Sequence, residues 1–351
     1  MSLAANPRVG RAVVAGIGLV VSIVSLFLVA RSVNLADVGR IVAGASIGLV
    51  VLTLGVMSFA LALRVVTCFV LLPDHADGSR VGVPRLITPV MVGYLGNLVL
   101  PARLGEVIRA YLISRREGLA FWATLGSVAL ERILDTATLA VMAFVAASLI
   151  GAAPWIVQGT GLVAVVGVIL VAALATTGLQ PLVRLLGRLG SIQVLRAPMS
   201  ALVRVIEPFA HWSGGAHRRR AMGLALGLSL AAWLCTAVMF WLVGQAVGAS
   251  LSPAAAILIM AVTVLATAIP SAPGYVGTFE LAAVTVATSL GVSGDIAFAL
   301  AVLAHVLGLL PAAAGGSLAL TRLGGGLRQL SAAALEQGRI GSGTPTETPA
   351  E

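Results

Sequence analysis

Charge is what this chain has least of. Asp, Glu, Lys and Arg make up 10% of its 351 residues, where a soluble domain carries about a quarter. That scarcity, beside a hydrophobic share of 59%, excludes an ordinary water-soluble globule. Cysteine is also scarce. Cys68 and Cys235 are the only two, both in or at the edge of apolar runs, which excludes a disulfide framework and a cysteine metal site. The four histidines, His75, His211, His217 and His305, show no metal-ligand spacing. The chain has no Gly-rich nucleotide loop, zinc-protease motif or nucleophile elbow. No soluble catalytic domain, cofactor or metal is therefore expected, and no catalytic residue is assigned.

What is present is long apolar sequence. Residues 12–30, 41–63 and 296–321 carry no formal charge, and 221–279 is uncharged and long enough for two passes. About 20 apolar residues cross a bilayer, and lipid leaves the backbone no partner but itself, so these segments must be helical. The expected fold is an all-α polytopic transmembrane bundle. Six full spans fall near 12–30, 41–63, 119–150, 160–178, 221–247 and 296–320. The first, preceded by Arg8 and Arg11, reads as an uncleaved signal anchor, being too long for a signal-peptide core.

The net charge of +9 points away from nucleic acid, because the arginines cluster between apolar runs, where topology signals belong. Arg8 and Arg11, the 64–85 and 101–117 stretches, the 180–220 segment with Arg218–Arg220, and Arg322, Arg328 and Arg339 all read as cytoplasmic, as do both termini. The 151–159 and 248–252 connections are uncharged and read as external. The 31–40 connection, with Arg31 and Arg40 against Asp37, is the exception. Residues 181–220 form a basic cytoplasmic or interfacial segment. Leu182, Leu185, Leu186 and Leu189 share one helical face opposite Arg184 and Arg188, as in a helix lying on anionic lipid; a plain loop is the alternative. Residues 1–322 form one membrane domain, and the Gly/Ser/Thr/Pro-rich 323–351 a disordered tail.

With these flanks, 86–100 must enter and return from one face, and 253–291 from the other. Both are re-entrant or broken-helix hairpins. The first break reads Leu100-Pro101-Ala102-Arg103-Leu104-Gly105-Glu106. The second runs from Pro270 through Pro273, Gly274, Tyr275 and Gly277 to Glu280. Each passes from Pro through Gly to a Glu at a new helix start. Paired Pro/Gly-interrupted segments in two halves suggest an inverted repeat around a transport site.

Charges near apolar helices mark the candidate site, because each costs roughly 2.5–3.5 kcal/mol at the bilayer centre. Arg103, Glu106 and Arg109 follow the first break; they either hold a phosphate or anchor and cap a helix at the interface. Glu131, Arg132 and Asp135 lie in the third span, with the two acids four apart on one face. They form a structural ion-pair network or touch substrate, and their expected partners are Arg103 or Arg109. At the second break Thr278 is the expected N-cap and Glu280 suits the helix dipole; in the functional reading the freed backbone of Pro273, Gly274 and Gly277, with Glu280, lines a headgroup cavity. Asn97 is placed to satisfy the first break, Arg64 to snorkel from the end of its span, and His305 to be a packed polar residue rather than a proton relay.

Gly93-Tyr94-Leu95-Gly96-Asn97-Leu98-Val99-Leu100-Pro101-Ala102-Arg103-Leu104-Gly105-Glu106, with Arg109 after it, resembles the lysylphosphatidylglycerol synthase transmembrane-region family, also called flippase-like. Glu131-Arg132 with Asp135 is similar to its next motif. Pro270–Glu280 is similar to its Pro-x-x-Pro-Gly-x-x-Gly-Thr-x-Glu motif, with Tyr275 where Gly is frequent. The resemblance covers roughly residues 10–322. It implies a multi-pass module in the plasma (inner) membrane that handles anionic or phosphate-bearing lipid, here without the cytosolic aminoacyl-transfer domain of larger members. The expected function is movement of a phospholipid or polyprenyl-phosphate-linked lipid between leaflets. Alternatives are a membrane-embedded transferase using Glu131 or Asp135, and an accessory subunit partnering envelope-synthesis enzymes.

Overall fold

The computed structural model describes residues 7–75, 77–100, 103–178, 180–189, 191, 199, 203 and 216–323. These form an all-α bundle with no strand among the described residues. Five helices are long and apolar enough to cross a membrane, and a sixth span is formed if one bent pair is counted. That bent pair is α1 (Pro7–Ala30) and α2 (Leu35–Ala43), which meet at 87°. The five are α3 (Ile47–Leu71), α6 (Phe121–Leu149), α7 (Pro154–Thr177), α9 (Ala216–Ala246) and α12 (Gly294–Arg322). Between α7 and α9 lies the short α8 (Gln180–Leu189).

The remaining four helices are too short. In the first hairpin α4 (Val83–Val99) and α5 (Leu104–Glu117) have 17 and 14 residues. In the second, α10 (Pro253–Ala266) and α11 (Thr278–Ser289) have 14 and 12. At 1.5 Å per residue none exceeds about 26 Å, short of the roughly 30 Å apolar core. Neither 86–117 nor 253–291 is a straight crossing.

Packing shows that the hairpins open at opposite ends of the bundle. Leu72, Val81, Leu86, Leu119 and Ala319 cluster at the base of the first hairpin, where Arg85 of α4 also meets Glu117 of α5 at 3.3 Å. Val29, Val38, Val247 and Leu251 cluster with the base of the second hairpin, and Leu290, Val292 and Ile296 pack against them. There the Asn34 N–H donates to Asp295 at 2.7 Å. The inverted arrangement expected from the two breaks is therefore present in the packing.

Several boundaries differ from the sequence expectation. The 31–40 connection contains α2, capped by Asn34 Oδ1, which accepts from the Ala36 N–H at 3.1 Å. The second span lies at 47–71 rather than 41–63, because the apolar run resumes after Arg64; Arg64 is consequently buried inside α3 rather than snorkelling from its end. The 101–117 stretch, expected as a cytoplasmic connection, is the return arm of the first hairpin from Leu104 onward. His217 falls in the first turn of α9 rather than in a loop. On α8, Leu186 is buried while Leu185 is half exposed, so the leucines do not form one uniform face. Most of 190–215, His211 included, and the tail from 324 lie outside the described residues.

Candidate functional site

The first hairpin closes through glycine. A Cβ on Gly105 of α5 would stand 2.0 Å from the Gly93 carbonyl oxygen and 2.6 Å from Asn97 Oδ1, and one on Gly96 would stand 2.8 Å from Gly105 Cα. Only hydrogen fits there, and this backbone approach turns α5 so that Glu106 and Arg109 face α6. Arg109 then meets Glu131 in a two-pronged contact, Nη1–Oε1 at 3.2 Å and Nη2–Oε2 at 3.1 Å. Asn97 Oδ1 packs on Gly105 and has no hydrogen-bond donor among the described residues; its expected service to the break backbone is not made there.

Around α6 the charges form a connected set. Arg132 contacts Glu131, Asp135 at 2.9 Å and Glu106 at 3.5 Å. Arg64 of α3 contacts Asp135, which also accepts from Ser229 Oγ of α9 at 2.5 Å. The Arg64 guanidinium stacks 4.2 Å from the Trp233 ring centre. Arg64, Arg109, Glu131 and Asp135 are each at most 6% exposed. Three arginines thus balance three carboxylates. Balance is required: an isolated charge in such a place costs several kcal/mol. The expected partnership of the two acids with Arg109 is observed for Glu131, that with Arg103 is not, and Arg64 and Arg132 take its place.

Arg103 stands apart. It caps α5 from the left-handed region (φ 54°), and Tyr275 at the other tip has φ 61°; they are the only non-glycine residues with positive φ among the described residues. Such a conformation costs roughly 1–2 kcal/mol. The two touch: the Arg103 guanidinium lies 5.5 Å from the Tyr275 ring centre and donates to Thr267 Oγ1 at 2.9 Å. Arg103 has no carboxylate partner among the described residues. The φ at 275 also gives the reason why glycine suits this position.

At the second break Pro273–Tyr275 forms a single 3-10 turn, and Gly274 (φ 72°) and Gly277 (φ 93°) occupy conformations closed to other residues without strain. Gly277, rather than the expected Thr278, is the N-cap of α11; Thr278 is its first residue, and its hydroxyl donates to the Tyr275 carbonyl at 3.1 Å. Glu280 Oε2 accepts from the Gly277 N–H at 2.6 Å. Its other oxygen meets His305 Nδ1 at 2.5 Å, and His305 Nε2 meets the Gly274 carbonyl at 2.8 Å. α1 braces this tip: Ser22 Oγ accepts from the Ala272 N–H at 2.8 Å, and a Cβ on Gly18 would stand 2.8 Å from the Ser271 carbonyl. Gly18 and Ser22 are four apart on one helical face, the spacing of close helix approach in membranes.

Between the tips is a cavity of about 270 Å³, walled by Arg64, Tyr94, Asn97, Arg103, Glu106, Arg132, Asp135, Trp233, Thr267 and Tyr275. Beside it a second hollow of about 200 Å³, sharing Asn97, Arg103, Thr267 and Tyr275, runs along residues 269–274, Pro273 and Gly274 included. Glu131, Arg109 and Glu280 stand behind these walls and do not line them. No group of three or more metal-binding side chains occurs among the described residues.

Sequence reasoning missed Arg64, Trp233, Ser229 and the partnership of His305. For Arg64 a signal existed in the apolar residues Val65–Leu72 that follow it. For His305 none did, since Glu280 lies 25 residues away on another helix.

A family model described as "Lysylphosphatidylglycerol synthase TM region" matches residues 14–316. Among characterised proteins, the chain is similar to "Glycosyltransferase AglD" of Haloferax volcanii, 26% identical over 284 residues, a match covering 73% of this chain and 45% of that protein. The chain thus spans less than half the length of that relative. The matched family region contains both broken hairpins and the α6 charges. The chain is a multi-pass membrane protein and belongs to the lysylphosphatidylglycerol synthase transmembrane-region family.

Proposed function

We propose that this protein moves a phosphate-bearing lipid, a phospholipid or a polyprenyl-phosphate-linked lipid, between the leaflets of the plasma membrane. The headgroup would sit between the hairpin tips with its phosphate on Arg103. One observation carries the reading. Of the four arginines facing or backing the cavity, three are matched to carboxylates, and Arg103 alone is held by neutral groups, Thr267 and Tyr275, with no carboxylate among the described residues. A guanidinium in that state suits a phosphate oxyanion. Broken backbone at membrane depth is tolerated where it lines protein or a wet cavity, and two opposed breaks give access from either side. The family's description names a phospholipid synthase and the relative's a glycosyltransferase, which supports a role in lipid or glycolipid metabolism.

Orientation follows from charge. At the base of the first hairpin lie Arg80, Arg85, Arg115, Arg116, Arg219, Arg220 and Arg322, against Asp74, Asp77 and Glu117. At the other end lie Arg31 and Arg40 with Asp37 and Asp295, and Arg40 pairs with Asp37. The basic end is the cytoplasmic one, which puts the C-terminal end of α12 and the N-terminal end of α1 inside.

The test is translocation of fluorescent phosphatidylglycerol in proteoliposomes of phosphatidylcholine and phosphatidylglycerol. Wild type should move it faster than empty vesicles do. Arg103→Ala should lower the rate roughly 10–100-fold, the loss of one charged hydrogen bond of about 1.5–3 kcal/mol. Equal rates in protein-containing and empty vesicles would remove the proposal.

The relative's printed activity favours a second reading, a transferase acting on a lipid-linked sugar. The geometry limits it: Glu131 and Asp135 are consumed by ion pairs, and Glu106, loosely held at 3.5 Å from Arg132, is the carboxylate free enough to act as a base. Product formed by purified protein from a polyprenyl-phosphate sugar, and lost in Glu106→Gln, would establish it. Co-purification with an envelope glycosyltransferase, without transport or product, would instead mark an accessory subunit.

A further inference from the structure

The second tip is fastened by two residues of opposite acid–base character. Gly274 O can only accept a hydrogen bond, so His305 Nε2 carries a hydrogen. The remaining ring nitrogen, Nδ1, faces Glu280 Oε1 at 2.5 Å. That contact needs one proton, either on the carboxyl with a neutral ring or on the ring with a carboxylate. Both arrangements are neutral overall. Removing the proton sets two lone pairs against each other and leaves a net negative charge beside Phe279, which stacks on the imidazole at 4.1 Å. An uncompensated charge there is costly, so loss of the proton drives the two side chains apart.

What they release is the tip. Glu280 holds the Gly277 N–H and His305 holds the Gly274 carbonyl. Tyr275 lies between these two fastenings, and its ring is the wall on which Arg103 rests. The adjoining hollow reaches Gly274, one residue layer from the imidazole. We infer that Glu280 and His305 form a proton-binding site, and that phosphate capture at Arg103 is linked through Tyr275 to the binding of one proton there. The inference rests on the reading of Arg103 given above.

Apart from Tyr275, whose ring faces Arg103, no other ionisable group among the described residues stands close to the pair. α1 brings Ser22 to this tip, α9 brings Phe240, and α10 has no ionisable residue. Cys235 of α9 lies more than a turn from Phe240. On α12, Asp295 and Arg322 are about 15 and 25 Å along the axis from His305. Asp37 and Arg40 of α2 pair with each other at the far end. On α3 and α4, Arg64 pairs with Asp135, Arg85 pairs with Glu117, and Tyr94 lines the central cavity.

The chain has three tyrosines, Tyr94, Tyr111 and Tyr275, so 3-fluorotyrosine labelling gives three fluorine resonances, assigned with Tyr275→Phe. The protein is placed in nanodiscs of phosphatidylcholine and titrated from about pH 5 to 9. The Tyr275 line is expected to shift between two positions in wild type and to stay still in His305→Gln. Glu280→Gln provides a second variant should that one fail to fold. Its amide can donate to Nδ1 and still accept from Gly277, so the line should keep its low-pH position throughout. Adding dihexanoyl phosphatidylglycerol should move the wild-type midpoint alkaline by about one pH unit for a tenfold preference of lipid for the protonated state, and should leave the Arg103→Ala midpoint unmoved. A pH-independent Tyr275 line, or a midpoint indifferent to the lipid, overturns the inference. If titration and displacement are both present but vesicles show no translocation, the transport reading falls and the proton-linked lipid site stands.

Discussion

The two hairpin tips reach the same cavity by different means. The first is set by contact: Gly105 lies against Gly93 and Gly96, and behind it Arg109–Glu131 and Arg132–Glu106 hold α5 to α6 while Arg64–Asp135 holds α6 to α3. The second is set by backbone conformation: Gly274, Tyr275 and Gly277 all take positive φ, and one neutral pair, Glu280 and His305, fastens them. A buried network in which each charge already faces an opposite one has no low-cost alternative arrangement. A single proton-sharing pair has one. If Glu280 and His305 share one proton as inferred above, the first tip is the fixed one and the second the one able to move.

The largest effect should come from breaking the network. Asp135→Leu leaves Arg64 without its carboxylate inside the bundle and should cost about 3–5 kcal/mol, the usual penalty for orphaning a buried partner. Adding Arg64→Met should recover a large part, because the desolvated cation goes too. Reversible unfolding in mixed micelles measures both. If the single variant were as stable as wild type, the first tip would not be held by charge.

Next comes space against conformation. Gly105→Ala places a methyl 2.0 Å from a backbone oxygen, where nothing can yield, and should cost about 1–3 kcal/mol or more by overpacking. At Gly274 the nearest atom to an added Cβ is 3.7 Å away, so Gly274→Ala meets only the left-handed penalty of about 1–2 kcal/mol. The sharper distinction is positional: Gly105→Ala should splay α4 from α5 and loosen Arg109, whereas Gly274→Ala should leave both in place. Cysteine-crosslinking yields between α4 and α5 report this directly, and equal yields in the two variants would erase the contrast.

This asymmetry explains what could be read from the chain. Span count, both breaks and their opposed entry follow from the lengths of apolar runs and the placement of arginine, because lipid admits few alternatives. Residues 101–117 misled because arginine in a short polar stretch has the composition of a loop; Arg109 is in fact neutralised by Glu131, a residue on another helix. Arg64 misled for the same reason. A charge's partner across helices is a tertiary fact, and sequence spacing reports only neighbours on one helix face, as it did for Glu131 and Asp135. The Gly-to-Glu order of each break was legible, since capping and left-handed turns are local. The pairing of His305 with Glu280 was not.

The smallest effect concerns the base of the first hairpin, in water rather than at the tip. His75 precedes α4, and its two ring nitrogens lie 3.0 and 2.8 Å from the carbonyls of Ser79 and Glu117. Both carbonyls can only accept, so both ring nitrogens must donate; these bonds favour the imidazolium and raise its pKa above the ordinary 6.5, Ser79 contributing most, then Glu117. A raised folded value means that the stabilisation is complete below about pH 6.5 and is lost as pH climbs through the raised value. Hydrogen exchange of residues 77–82 should therefore quicken over that alkaline window, beyond the intrinsic base catalysis seen in an unstructured peptide, and His75→Gln should remove the pH-dependent part. The two histidines then separate the hairpins cleanly. Loss of the proton from His75 frees only a connection at the membrane surface and leaves Arg109 and Glu131 engaged, while loss of the proton shared by His305 reaches Tyr275 and the cavity wall. If exchange in 77–82 followed the same midpoint as the Tyr275 resonance, the two ends would be one coupled unit and the division between a fixed and a moving tip would fail.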